Sequence, residues 1–330
     1  MIAETRLQIR SNTVVQYNYY HRNAFNSPLK GKRPENFKKQ TYSGNISPGA
    51  KKRLLRAVEL MVMSAPKKFV YNPILGREQK YSLTFVTLTV HSPNYTVLSK
   101  EGHKNLLEPF LKWLRQVHGC KMYTWKAELQ ERGMIHYHLI SDCWVLNTEL
   151  SKKWNSLQKK HGYLDDYFKE KGHYDAPSVK IGAIRHEANT AQYIMKEIAK
   201  SCQNTQSVGG KVWDCSINIK SNTYFTTEDQ HCRQFLVQGV ANKTITPFYG
   251  DHFIIYKLSE SASNVLGFRD KVAYNDMLEG IRNHTRSYYN DITDLKQHQR
   301  TKIKLEYDAL VSGINNKKVN VTIQLPLFPS

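Results

Sequence analysis

His136 and His138 stand one residue apart in the run GMIHYHLI at 133–140, and Glu128 stands eight residues before the first of them. Two imidazoles and a carboxylate can hold a metal ion if the chain brings them together. KMYTWKAELQ (121–130) and MIHYHLISDCWV (134–145) read as two strands around the turn ERGM. Side chains alternate faces along a strand, and cross-strand partners share a face. A turn centred near Arg132 places Glu128 opposite His136 and Lys126 opposite His138; a slip of two residues places Gln130 opposite His136 instead. In either register Glu128, Gln130, His136 and His138 share one face, while Trp125, Leu129, Tyr137 and Leu139 take the other, which is better suited to a core. Three such ligands leave positions open for water and a phosphate oxygen. Mixed nitrogen and oxygen ligation suits Mg²⁺ or Mn²⁺, with Zn²⁺ as an in vitro substitute. The alternative is a solvated polar face on an exposed strand.

A second constellation lies on the helical pattern EANTAQYIMKEIAKS near 188–201. Tyr193, Lys196, Glu197 and Lys200 recur at i, i+3, i+4 and i+7, a single stripe, while Ala191, Ile194 and Ile198 mark an apolar side. A phenol has a pKa near 10 and becomes a nucleophile when cations lower it, which Lys196 and Lys200 are spaced to do. An ordinary amphipathic helix with a tyrosine at its boundary would show the same pattern. YxxK also occurs as YTWK at 123–126, but strand parity turns Tyr123 away from the histidine face.

The charge balance indicates the partner. Lys and Arg number 48 against 28 Asp and Glu, a net +20 in 330 residues, which suggests a polyanion, nucleic acid before membrane. Residues 1–60 hold twelve Lys/Arg and three Asp/Glu, with Tyr17, Tyr19 and Tyr20 beside Arg22 and a further pair at Lys38 and Lys39. Basic residues interleaved with aromatics neutralise phosphates and stack bases, so Arg22, Lys38 and Lys39 are candidate DNA contacts along with Lys200. A basic arm packed on its own domain is the other reading. Five cysteines form no CxxC pair, no apolar run reaches membrane-spanning length, and MIAETRLQIR lacks the apolar core of a signal peptide. A soluble, cytoplasmic protein is expected, without disulfides or membrane contact.

Positioning these residues requires a sheet. Ser47-Pro48 opens a helix through KKRLLRAVELMVM, and KKFVYNP and KYSLTFVTLTV form a hairpin ending near Val90. NLLEPFLKWLRQVHG is an amphipathic helix closed by Gly119, TELSKKWNSLQKKHG a second, and SVKIGAI a strand. Val212–Ile219 and His252–Tyr256 are weaker strand candidates, and Asn290–Leu310 is polar and helical in pattern. The order implies an α+β fold, an antiparallel sheet with helices packed on it. The expected division is a basic arm and helix over 1–64, a catalytic domain over 65–245 and an accessory region over 246–330.

FVTLTV at 85–90, IHYHLI at 135–140 and YIMK at 193–196, in that order, resemble the motifs of HUH endonucleases, specifically the rolling-circle replication initiators of single-stranded-DNA phages and related plasmids. The resemblance covers about 65–220. It implies an RRM-like sheet with the histidine strand central and Tyr193 facing the metal held by Glu128, His136 and His138. It also implies attack by Tyr193 on origin DNA to leave a 5′-phosphotyrosyl link, with Lys196 and Lys200 stabilising charge. Glu197 stands where two-tyrosine members carry a second Tyr, so a single-tyrosine enzyme is implied, with Glu197 available to activate water at release or to pair with Lys200. No GxxxxGK[ST] occurs, so a host helicase and polymerase are expected partners. Conjugative relaxases carry their tyrosine near the N-terminus, which makes Tyr17, Tyr19 and Tyr20 the competing nucleophiles; single-tyrosine transposases and a non-catalytic single-strand DNA-binding protein are further readings. A barrel amidohydrolase would need additional His and Asp ligands that the sequence does not supply in series. Near the C-terminus, Gln324-Leu325-Pro326-Leu327-Phe328 resembles the pentapeptide that docks bacterial polymerases on the sliding clamp, Gln324 anchoring by hydrogen bonds and Leu325, Leu327 and Phe328 giving apolar contact. An edge strand VNVTIQL is the alternative there.

Overall fold

The computed structural model describes residues 3–20, 46–72, 76–91, 102–129, 134–184 and 211–283. All of them fall in the first of the two units into which the chain divides, Met1–His284. The fold is α+β, with two five-stranded antiparallel sheets and a two-stranded ribbon.

The first sheet holds the histidines. Its strands are β5 (Leu83–Thr89), β6 (Tyr123–Leu129), β7 (Ile135–Ser141), β8 (Val179–Ile184) and β9 (Trp213–Cys215), in the order β8-β5-β7-β6-β9 with β7 central. One face carries Val86, Leu88, Trp125, Ala127, Tyr137 and Leu139, all buried. Two helices cover it: α2 (Glu108–His118) through Phe110, Leu111 and Leu114, and α3 (Asn147–Lys160) through Leu150 and Trp154. Pro109 has no N–H to offer the carbonyl four residues back, and a π-turn over His103–Leu107 leads into α2. Gly119, at φ 63°, ends it in the left-handed conformation that glycine adopts without strain.

The opposite face of this sheet is divided. At one end Leu83, Met122, Ile140 and Cys215 join a core made with α1 (Pro48–Ser64). Ser47 caps that helix, its hydroxyl accepting from the Ala50 amide, and Leu54, Ala57, Val58 and Met61 form the buried stripe. The other end of the face carries Glu128, His136 and His138.

On the far side of that core lies the second sheet, ordered β10-β1-β2-β12-β11. Its strands are β1 (Ala3–Ile9), β2 (Thr13–Tyr20), β10 (Phe225–Thr227), β11 (Thr246–Tyr249) and β12 (Phe253–Lys257). Leu7, Ile9, Val14 and Tyr256 point into the core, where α6 (Gln230–Ala241) and α7 (Phe268–Arg282) also contribute through Leu236, Tyr274 and Ile281. The short helices α4 (Asp165–Lys171) and α5 (Ile217–Lys220) complete the described elements, with a 3-10 turn at Ala262–Val265.

Three departures from the sequence reading are informative. The hairpin expected to end near Val90 is instead β3 (Lys68–Asn72) with β4 (Arg77–Tyr81); the chain breaks at Ser82, and β5 enters the other sheet. Val212–Ile219 divides into β9 and α5, because Ser216 gives up the strand and the carbonyls of Ser216 and Ile217 start helical bonds. Residues 3–20, read as part of a basic arm, are a hairpin of the second sheet, whose strands come from either side of both expected boundaries, 64/65 and 245/246. Cys120, Cys143, Cys215 and Cys232 are free and buried. Among the described residues no helix is long and apolar enough to cross a membrane.

Candidate metal centre

The register between β6 and β7 pairs Glu128 with His136 and Lys126 with His138, as the hairpin parity requires. One ligand atom from each of Glu128, His136 and His138 lies within 4.8 Å of the others. His138 Nε2 sits 2.6 Å from Glu128 Oε1, both side chains 15% exposed. The second carboxylate oxygen, Oε2 of Glu128, is buried and has no hydrogen-bond partner. An unpartnered carboxylate oxygen facing two imidazoles is costly in a sealed site and is what an incoming cation would relieve. Burial, reinforced by the neighbouring His138, lowers the His136 pKa to about 4. The ring is therefore neutral at neutral pH, the form that ligates metal. The donor set thus fits a divalent ion.

The neighbouring strand supplies what the sequence reading did not assign. β5 pairs Thr87 with His138 and Thr89 with His136. The Thr89 hydroxyl lies 3.2 Å from His136 Nε2 and the Thr87 hydroxyl 3.4 Å from His138 Nδ1. Phe85, next on the same face, stacks on His138 with ring centroids 5.5 Å apart and planes 26° from parallel. The alternate threonines of FVTLTV are thus the partners that orient the alternate histidines, a role with a detectable signal, since both pairs share the two-residue strand period. Trp154 fixes the end of β5 by donating its indole N–H to the Thr89 carbonyl at 2.7 Å.

Two lysines flank the cluster. Lys126, 3% exposed, is on the ligand face opposite His138, and the exposed Lys180 of β8 pairs with Thr87 on that same face. One row across the sheet therefore reads Lys180, Thr87, His138, Lys126, Trp213. Two cations beside a divalent site favour a phosphodiester. His91, two residues beyond Thr89, lies close enough to depress the His136 pKa further.

The tyrosine of the first YxxK behaves as parity requires. Tyr123 packs against the helix-covered core, accepts from Arg115 at 3.4 Å, and burial pushes its pKa up to about 12, which makes it a poor nucleophile. Tyr17 and Tyr19 belong to β2 of the second sheet, not to the histidine sheet. Gln130, Arg22, Lys38, Lys39, the stripe of Tyr193, Lys196, Glu197 and Lys200, the pattern at 290–310 and the peptide Gln324–Phe328 lie outside the described residues.

Neither a curated protein nor a solved structure matches the chain significantly. Residues 83–202, which run from β5 through the histidine strand and past YIMK, match the family model of the replication-associated protein ORF2, and this similarity is consistent with a replication initiator of the Rep type.

Proposed function

We propose that the protein initiates rolling-circle DNA replication by nicking single-stranded origin DNA and later rejoining it. The observation that carries this reading is the convergence of Glu128, His136 and His138 on one sheet face, inside the segment similar to replication-associated proteins. Glu128, His136 and His138 would hold Mg²⁺ or Mn²⁺, which supplies electrophilic polarisation of the scissile phosphate when bound. Thr87 and Thr89 fix the imidazoles, and Lys126 and Lys180 hold the DNA backbone across the strands. The Tyr193 oxygen attacks phosphorus, a Tyr–O–P bond forms, and the P–O3′ bond breaks. The 3′ oxygen departs with its electron pair and takes up a proton, leaving a 3′-OH for a host polymerase and a 5′ end on the protein. Lys196 and Lys200 lower the phenol pKa. Because one phosphodiester replaces another, rejoining needs no nucleotide hydrolysis. Glu197 activates water at release, and Gln324–Phe328 recruits the host sliding clamp to the new 3′ end.

A non-catalytic single-strand binder explains the net charge but not this cluster. A partly buried carboxylate with one oxygen unpartnered is an unneeded cost for binding alone. The relaxase reading needs a tyrosine of β2 to attack, yet β2 is built into the second sheet. The test is a cleavage assay on labelled single-stranded origin DNA with Mn²⁺, scored for a covalent protein–DNA adduct. Tyr193→Phe is expected to abolish the adduct while binding persists, and His136→Ala to abolish cleavage. Adduct formation by Tyr193→Phe but not by a Tyr17/Tyr19/Tyr20 triple Phe variant would establish the relaxase chemistry instead.

A further inference from the structure

The second sheet has one face that the fold does not use. Its inner side chains, Leu7, Ile9, Val14 and Tyr256, are buried, so the residues alternating with them face outward. The strand registers align that outer set in rows. Arg6 lies beside Tyr17 and Phe253; Gln8 beside Val15, Ile255 and Phe248; Thr13 beside Lys257 and Thr246. Tyr19 continues β2 beyond Tyr17 and pairs with Glu4. Exposure is high where the side chains are flat: Phe248 64%, Tyr19 40% and Phe253 39%. The outward aromatics come from three adjacent strands, so they form a surface and not isolated exposed residues.

We propose that this face is a second binding surface for single-stranded DNA, on which bases stack while the metal centre on the other sheet holds the scissile phosphate. It rests on the reading of single-stranded DNA as substrate and adds a site to it. Three observations select a nucleic acid over another apolar partner. First, the exposed groups are rings carried on rigid strands, with few exposed aliphatics among them. Aromatics two residues apart on one strand stand about 7 Å apart, suited to successive bases of an extended single strand. Second, cations are set among the rings. The Arg6 guanidinium lies 4.1 Å from the centre of the Tyr19 ring, extending the platform with a plane that itself stacks on bases, and Lys257 is exposed at the other end of the face. Third, β2 runs directly into residues 21–45, where Arg22, Lys30, Lys32, Arg33, Lys38 and Lys39 stand against Glu35 alone. The Phe253 ring is also held in place. It lies over the hairpin backbone at Gly250, where a Cβ would come within 2.6 Å of it.

Stacking is separable from charge by the choice of ligand. Fluorescence anisotropy of the full chain would be measured with a fluorescein-labelled oligothymidylate and with an abasic strand of equal length, over a salt series. The wild type is expected to prefer the thymidylate. Replacing Tyr19, Phe248 and Phe253 together with Ser should weaken thymidylate binding by on the order of 100-fold, since each stacked base contributes substantially. Abasic binding and the salt slope should stay as in the wild type, because no phosphate contact is removed. Phe248→Ser alone, on the edge strand, should give a loss of roughly 10-fold in the same direction and covers the case in which the triple variant folds poorly. His136→Ala, which should bind thymidylate like the wild type, separates this surface from the metal centre. Undiminished thymidylate binding by the variants overturns the proposal and leaves the proposed function standing. So does equal wild-type affinity for both strands, or a loss of self-association in sedimentation without loss of DNA binding, which would make the face a contact between copies. A wild type that binds neither strand overturns both.

Discussion

Thr89→Val removes one hydroxyl and little else. Valine matches threonine in shape and is at least as comfortable in a strand, so β5 and its pairing to β7 should persist. What is lost is the 3.2 Å contact to His136 Nε2. A neutral side-chain hydrogen bond contributes about 1 kcal/mol net, and partners that orient metal ligands alter metal affinity by about 10–100-fold. Thr89 is only partly shielded from water, which places the expected loss in the lower part of that range, about 10- to 30-fold in the Mn²⁺ dissociation constant. Thr87→Val should lose less, because its 3.4 Å contact to His138 Nδ1 is at the limit of useful hydrogen-bond geometry. Isothermal titration of Mn²⁺ into the full chain without DNA measures both, independently of cleavage. An unchanged dissociation constant for Thr89→Val, or a larger loss for Thr87→Val than for Thr89→Val, would refute the orienting role of the TLT threonines.

His103 packs between Trp125 and Tyr137, and burial lowers its pKa from 6.5 to about 4. The unfolded chain therefore binds a proton that the folded chain refuses, so its contribution to stability is complete above about pH 6.5 and lost as pH falls towards about 4, to a limit of about 3 kcal/mol. His103→Gln, which keeps an acceptor for the Tyr137 hydroxyl, should flatten the urea-unfolding free energy over that window relative to wild type; parallel curves for the two proteins would show that His103 does not titrate as its burial requires. The C-terminal peptide yields a binding prediction: purified bacterial sliding clamp should be retained by the full chain and not by Leu327→Ala/Phe328→Ala, and equal recovery by both, or by neither, removes the clamp contact.

The metal cluster was legible because strand parity is a short-range rule. Glu128, His136 and His138 are on one hairpin, and a two-residue period leaves each side chain only two faces to choose between, so a register error of two residues does no damage. The helices α1 and α2 were equally legible: Ser47-Pro48 and Gly119 mark ends that local backbone chemistry dictates. The partnership of Thr87 and Thr89 with the histidines was not, since nothing local says that β5 lies beside β7 with Thr89 against His136. That register comes from the burial of Val86 and Leu88 against the same helices as Tyr137 and Leu139.

The second sheet shows how a composition argument can conceal a structural one. In ETRLQIRSNTVVQYNYY the apolar Leu7 and Ile9 alternate with Arg6, Gln8 and Arg10, and Ser11-Asn12 sits where a turn belongs, closed by the Arg10 amide to the Thr13 carbonyl at 3.0 Å. Read for charge, the stretch is a basic arm; read for period, it is a half-buried hairpin whose cations occupy the outward positions. Both statements hold, and their combination is what matters physically. The same alternation that buries Leu7, Ile9 and Val14 against α1 fixes Arg6, Tyr17 and Tyr19 on the opposite face. A flexible arm would lose conformational entropy on ordering around DNA, whereas side chains already held on a sheet present rings and charges at set spacing and avoid most of that loss. Affinity contributed by residues 3–20 should therefore depend on the hairpin being folded. Replacing Ile9 with Asp, which breaks the inner face without removing a cation or an outer aromatic, should weaken single-strand binding, where an unstructured basic arm would be indifferent to it.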